Sequence, residues 1–273
     1  MSAEGPRAAA RLRASTVEHY VDAALYDHEY RRRRADVNFY RRLAVRLAPE
    51  ALLELGCGSG RVLVPLLRDG HRVVGVDLSR TMLRRLSERL GRLRPSVRSR
   101  ATLLQGDFRE LPLGRRFPLV LLPFNAFLHL YTRDDVERFF ASLRRVLAPG
   151  GRFAFDVLNP DLEWLVRDPH KRWSRTRFKD PSTGEAYVYS TNHLYDSATQ
   201  INWIRLYYDP VVTPGEPAPP SRVVRLAHRM YYPEELLLLL GHHGLTVEER
   251  WGGFAGEPFD DAAEEQVLVC RLG

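Results

Sequence analysis

A doubly wound α/β fold, with a parallel sheet covered on both faces and an antiparallel β insertion after the fifth strand, is predicted by three features of the 273-residue sequence. Short apolar, β-branched runs alternate with amphipathic stretches from Ala51 to Val157, which is the rhythm of parallel strands joined by crossover helices. A glycine loop, Gly56-Cys57-Gly58-Ser59-Gly60, closes the first of those runs and opens a helix. Four β-rich stretches separated by turn residues then change the rhythm between Arg172 and Tyr232.

Residues 1–14 are small, polar and arginine-dotted, and are expected to be disordered. Residues 15–48 read as a helical cap, because Tyr26, Tyr30, Val37, Tyr40 and Val45 recur near helical spacing before Pro49. The core, 49–165, begins with a strand at Ala51–Leu55, a helix at Val62–Leu67 and a strand at Arg72–Val76 that ends in Asp77. Ser79 is a natural N-cap for a helix through Leu90. Further strands are expected at Ala101–Gln105, Leu119–Leu122 and Arg152–Val157, with a long helix at Thr132–Leu147 stopped by Pro149-Gly150-Gly151. In the insertion, 166–232, the strands are Arg172–Lys179, Ala186–Tyr195, Ile201–Tyr208 and Val223–Tyr231. The turns at Asp180–Gly184, Asp196–Thr199 and Asp209–Pro220 imply antiparallel pairing. Residues 233–273 return to the main sheet through a helix at Pro233–Gly241 and strands at Leu245–Trp251 and Gln266–Arg271.

Composition narrows the function classes. At 44% hydrophobic and 27% charged, the chain can bury a full core. No apolar run approaches the ~20 residues a membrane helix needs, and Met1–Arg13 lacks the apolar centre of a secretory signal. Cys57 and Cys270 are the only cysteines and lie far apart, so neither a disulfide framework nor a metal site is expected, and a cytoplasmic setting is. The 41 basic residues exceed the 34 acidic ones by 7, but all except Lys171 and Lys179 are arginine. That uniformity reads as a compositional preference and weakens any single arginine run as a signal. Arg31–Arg34 fits either a phosphate-binding stripe or, the ordinary outcome, a solvated helix face.

The loop Glu54-Leu55-Gly56-Cys57-Gly58-Ser59-Gly60 decides the class. Its glycines let the backbone turn tightly and approach a ligand, with helix N–H groups facing it. Asp77, 21 residues after Gly56, closes the next strand, where open α/β sheets place an acid for ribose hydroxyls. The dinucleotide pattern G-x-G-x-x-G is broken, because Arg61 stands at the third glycine position. Gly106-Asp107-Phe108, Pro123-Phe124-Asn125 and Leu147–Gly151 follow in order along the chain. With these motifs the sequence resembles the class I S-adenosylmethionine-dependent methyltransferases, over residues 15–160 and, by strand order, Pro233–Gly273.

The resemblance implies a Rossmann-like methyltransferase sheet and S-adenosylmethionine as cofactor, released as S-adenosylhomocysteine. It implies that Gly56, Gly58 and Gly60 hold the methionine moiety and Asp77 the ribose. Leu78 would lie against adenine, Asp107 would accept its amine, and Phe108 would offer its backbone N–H. Glu54 would orient the loop or reach the methionine amine, and Cys57 reads as a small packing residue. The loop after the fourth strand, Pro123–Leu130, carries neither an Asn/Asp-Pro-Pro-aromatic motif nor a Pro-Cys nucleophile, which argues against DNA base methylation. The pattern Tyr26-Asp27-x-x-Tyr30-x-x-Arg33-x-x-Asp36 is similar to the N-terminal helix of bacterial aminosugar N,N-dimethyltransferases. That likeness implies that Tyr26, Arg33 and Phe124 line the cofactor pocket and that His129 borders the acceptor.

His129 has the chemistry of a proton acceptor near neutral pH, and equally that of a simple lining residue. Asn125 borders the transferring methyl or caps the following helix. His242-His243, before Gly244, reads as a helix C-terminal pair serving the dipole, not as a metal site. The insertion tyrosines Tyr187, Tyr189, Tyr195, Tyr207 and Tyr208, with Trp203, fit an acceptor wall, a homodimer interface or plain sheet packing. The function expected is methyl transfer to a nitrogen or oxygen of a small-molecule acceptor, with no nucleic-acid or membrane partner. The alternatives are an RNA or protein methyltransferase, and a non-catalytic S-adenosylmethionine-binding protein.

Overall fold

A computed structural model describes residues 6–111, 113–212 and 220–273. The chain opens with α1 (Pro6–Val17), a 3-10 turn (Glu18–Tyr20), α2 (Ala23–Glu29) and α3 (Ala35–Leu47). It continues with β1 (Leu52–Leu55), α4 (Leu63–Arg68), β2 (Val73–Asp77), α5 (Arg80–Gly91), α6 (Pro95–Arg98), β3 (Ala101–Gln105) and β4 (Phe117–Leu122). A 3-10 turn (Ala126–His129), α7 (Arg133–Val146), β5 (Leu147–Leu158) and α8 (Leu162–Leu165) follow. The remainder is β6 (Trp173–Lys179), β7 (Ala186–Asp196), β8 (Ile201–Pro210), β9 (Arg222–Arg229), α9 (Pro233–His242), β10 (Leu245–Trp251) and β11 (Glu265–Leu272). These elements form two compact units. One joins the residues up to Arg31 to Asp161–Met230, and the other joins Arg32–Pro160 to Tyr231–Gly273.

The larger unit holds a seven-stranded sheet in the order β10-β11-β5-β4-β1-β2-β3. β1 to β5 pair in parallel, and β11 and β10 add antiparallel strands beside β5. All of Leu52–Leu55 is buried, because alternate side chains enter different cores. Leu53, Leu55, Val120, Leu122 and Phe153 pack with Phe139 and Leu240, whereas Leu52, Leu119, Leu121 and Ala154 pack with Leu43, Leu63 and Leu86. A sheet covered on both faces needs such uninterrupted apolar strands. The strand order reverses at β1, whose neighbours are β2 and β4. Doubly wound sheets open a ligand crevice beyond the strand ends at that point. α7 is fixed by a capping box in which Thr132 Oγ1 accepts from the Asp135 N–H at 3.1 Å.

The smaller unit is built on the antiparallel sheet β6-β7-β8-β9. Leu206, Tyr208 and Val224 on one face of it pack against Leu25 of α2. This is the predicted insertion, bounded at Asp161 and Met230 where the sequence suggested 166 and 232.

Three expectations change. Residues 6–14, within α1, are helical where disorder was expected over residues 1–14; residues 1–5 lie outside the described residues, as do residues 213–219 of the expected Asp209–Pro220 turn. The helical cap at 15–48 is not one element, because Asp22 N-caps a new helix by accepting from the Leu25 N–H at 2.9 Å. It is also not one domain, since α2 belongs with the small sheet and α3 with the large one. The Arg31–Arg34 run lies in the link between α2 and α3 and is no helix face.

Candidate active site

Gly56, Gly58 and Gly60 all adopt positive φ, at 64°, 52° and 83°, conformations that only glycine takes without strain. They differ in what surrounds them. A Cβ on Gly60 would meet Leu86 Cδ1 of α5 at 2.3 Å, whereas one on Gly58 would meet nothing within 4 Å. Gly58 is thus the open face of the loop. Its N–H donates to Asp77 Oδ2 at 2.7 Å, and the Ser79 N–H donates to Oδ1 at 2.7 Å. The carboxylate at the end of β2 is therefore turned back onto the loop. Burial pushes the Asp77 carboxyl above its ordinary range, against these two backbone donors. Each oxygen keeps a second lone pair for a further donor.

Glu54 sits within β1 at 1% exposure, and its Oε2 has no hydrogen-bond partner. Burial holds its carboxyl well above the usual range, with Arg61 opposing and Asp77 reinforcing the shift. A buried carboxylate oxygen without a donor is costly, and it is chemically suited to an ammonium group. Cys57 is buried in the core with its thiol pushed up by burial, so it packs as expected.

The loop after β4 is held from β5. Asp156, fully buried, accepts from the Phe124 N–H at 2.8 Å, the Asn125 N–H at 3.1 Å and the Tyr40 hydroxyl at 2.5 Å. Phe124 and Asn125 both stand at φ 61°, the left-handed region that non-glycine residues rarely occupy. The two backbone bonds to Asp156 compensate that strain. Asn125 does not cap the following turn; its Oδ1 accepts from the Leu158 N–H at 2.7 Å. The guanidinium groups of Arg61 and Arg33 lie over the Phe124 ring at 4.1 and 5.1 Å. Arg61 also grips the buried Asp36, and Arg33 pairs with Glu265. Burial, with Asp156 nearby, pushes the Glu265 carboxyl up to about 8 despite Arg33.

At the end of β3, Asp107 is gripped by Arg109, whose Nη2 lies 2.6 Å from Oδ2. Burial alone would raise the Asp107 carboxyl, but Arg109 holds it below its ordinary value. Arg109 also bonds Asp135 of α7, so the loop after β3 is tied to a capped helix. Phe108 packs edge-on to Phe139 at 5.8 Å, while Leu78 is half exposed. His129 Nδ1 lies 2.8 Å from the Tyr131 hydroxyl, which fixes the ring.

Tyr26 belongs to the smaller unit, where its ring packs with His19, Tyr20 and Tyr30. That unit also holds a residue the sequence did not single out. Glu29 bonds the Tyr208 hydroxyl, and burial pushes its carboxyl up to about 7 against Tyr208 and Arg222.

Residues 52–151 match a family model described as a methyltransferase domain. This stretch is a methyltransferase domain. The chain is 36% identical over 105 residues to the dTDP-3-amino-3,4,6-trideoxy-alpha-D-glucopyranose N,N-dimethyltransferase of Streptomyces venezuelae, covering 38% of this chain and 41% of that one. The chain spans 41–52% of the length of the curated relatives matched first. Among solved structures, it resembles the CcbJ methyltransferase from Streptomyces caelestis with a TM-score of 0.70 and 26% identity, over 88% of this chain and 90% of that one. It shares the fold of an S-adenosylmethionine-dependent methyltransferase from Clostridium acetobutylicum, with a TM-score of 0.72, 19% identity and coverage of 92% and 97%.

Within the methyltransferase domain, the residues fit the cofactor of that fold. The open Gly58, the Asp77 carboxylate aimed at it and the orphaned Glu54 oxygen offer a backbone cradle, a hydroxyl acceptor and an ammonium acceptor. The predicted Gly56, Gly58, Gly60, Glu54 and Asp77 lie together where β1 and β2 end. Arg33 and Phe124 meet at the β4 loop. Asp156 and Glu265 were missed, and Tyr40 and Asp36 were read only as parts of the N-terminal helical pattern. Asp156 left one trace in the sequence, a lone acid inside the apolar run Phe153–Leu158.

Proposed function

We propose that this chain transfers a methyl group from S-adenosylmethionine to a nitrogen of a small-molecule acceptor. The observation that carries the reading is the Asp77 carboxylate turned onto the open Gly58 of the loop. The cofactor supplies a methyl group on a sulfonium with a good leaving group. The protein then contributes alignment and, where the acceptor arrives protonated, a proton acceptor.

In this reading Gly56, Gly58 and Gly60 cradle the methionine end, with Glu54 meeting its ammonium group. Asp77 accepts the ribose hydroxyls, and Leu78, Asp107 and Phe108 read the adenine. Phe124, with the Arg33 and Arg61 guanidinium groups over its ring, walls the methyl side. His129, oriented by Tyr131, lines the acceptor and takes its proton. Asn125 acts by fixing the loop to β5. The choice of nitrogen is supported by the likeness to the N,N-dimethyltransferase named above. Among the described residues no helix is long and apolar enough to cross a membrane.

Calorimetry with S-adenosylmethionine and S-adenosylhomocysteine tests the first half, with micromolar binding expected and absence of binding to folded protein rejecting it. Incubation with a panel of small amines and alcohols, read by mass spectrometry for added methyl groups, tests the second. Binding without turnover on any acceptor would favour a non-catalytic cofactor-binding protein. An RNA methyltransferase is favoured by one observation, a cavity of about 700 Å³ in the smaller unit lined by Arg11, Arg205, Arg225 and Trp203. Steeply salt-dependent RNA binding in a gel shift would support it.

A further inference from the structure

Where α9 ends, His242 is its last residue and His243 its C-cap. The His243 ring is 2% exposed and lies flat on Phe140 of α7, with centroids 4.2 Å apart and planes inclined by 16°. Its N–H donates to the Leu239 carbonyl at 3.1 Å, and its own carbonyl accepts from Arg144 at 3.3 Å. Ring and backbone are thereby fixed, yet Nε2 has no hydrogen-bond partner. A buried, unpartnered ring nitrogen in an otherwise satisfied helix end needs an explanation. The nearest acid, Glu137 of α7, presents Oε1 at 3.9 Å, too far for a hydrogen bond. His242 completes the group: one ligand atom from each of Glu137, His242 and His243 lies within 4.8 Å of the others.

We propose that Glu137, His242 and His243 bind one divalent transition-metal ion of the zinc class, linking the end of α9 to α7. Two imidazoles and a carboxylate are a donor set that zinc accepts in tetrahedral geometry, with the remaining position left to water. Bonds of about 2.0–2.2 Å bring the three donors closer than they stand, and the two that must move, Glu137 and His242, are the exposed ones. The buried His243 needs no rearrangement.

The test uses the full chain stripped with a chelator and titrated with zinc chloride, followed by calorimetry and thermal melting. One ion per chain at micromolar affinity, with a Tm rise of about 2–6 °C at saturating zinc and no response to magnesium, is expected. His242→Ala and Glu137→Gln, both at exposed positions, should each weaken zinc binding at least about tenfold and abolish the Tm rise. S-Adenosylhomocysteine binding should be unchanged in both variants, which separates this site from the proposed cofactor site. Absence of zinc binding, or binding that both variants retain in full, would overturn the assignment and leave His243 Nε2 to a bound water.

Discussion

Asp77 and Gly58 are 19 positions apart and joined by a 2.7 Å bond from the Gly58 N–H to Oδ2. The charge of that carboxylate is what a ribose hydroxyl would meet, and hydrogen bonds to charged groups contribute about 1.5–3 kcal/mol. Asp77→Asn is therefore expected to weaken S-adenosylhomocysteine binding by roughly 10- to 100-fold in calorimetry. The fold should be retained but at a lower Tm, because the amide nitrogen would face one of the two backbone N–H donors, from Gly58 and Ser79.

The glycines of the loop should separate by mechanism. Gly60→Ala places a Cβ 2.3 Å from Leu86 Cδ1 as well as at φ 83°, so it should lower Tm outright. Gly58→Ala meets open space and carries only the left-handed cost, about 1–2 kcal/mol. It should fold, with binding reduced because the methyl occupies the ligand's approach. Equal loss of Tm in both variants would contradict this distinction.

Glu54 sets stability against binding. Neutralising a buried, unpartnered carboxylate relieves desolvation, so Glu54→Gln should melt at or above the wild-type temperature without ligand. It should nonetheless bind S-adenosylmethionine on the order of tenfold more weakly, one lost charge-assisted bond. A variant both less stable and normal in binding would assign Glu54 a purely structural role.

Asp156 holds Phe124 and Asn125 in the left-handed region through their N–H groups. Asp156→Asn turns one acceptor into a donor facing donors, which should cost about 2–3 kcal/mol and lower Tm by roughly 4–12 °C. Turnover should fall further than cofactor affinity, since the displaced loop carries Phe124 and leads to His129.

Glu265 should make stability pH-dependent. Its folded pKa of about 8 lies above the ordinary carboxylate value, so the folded state retains a proton that the unfolded chain has released. Stability from this group is full below about pH 4.3 and is lost as pH rises through about 8. Glu29, at about 7, acts with the same sign. The fall in Tm between pH 5 and pH 8 measured for the wild type should be shallower in Glu265→Gln, whose side chain cannot release a proton.

The alternating strands, the glycine loop and Asp77 were legible because their signals are local: apolar runs, a turn only glycine can make, and an acid at a strand end. Asp156 and Glu265 were not, since their roles come from β5 and β11 pairing in register, Glu265 opposite Leu158, which no local spacing encodes. Likewise the helical periodicity of residues 15–48 was real, but not its division between two units. Asp22 restarting the helix and Leu25 packing on Leu206, Tyr208 and Val224 made that division.

The sequence by itself determined a sheet buried on both faces and a loop that must turn through three glycines, because backbone sterics and hydrophobic period are properties of neighbouring residues. The tertiary structure alone decided which carboxylates lie buried, which of them found donors, and that Glu54 Oε2 and His243 Nε2 did not. Desolvation and hydrogen-bond partnership depend on atoms that the fold brings together from distant parts of the chain.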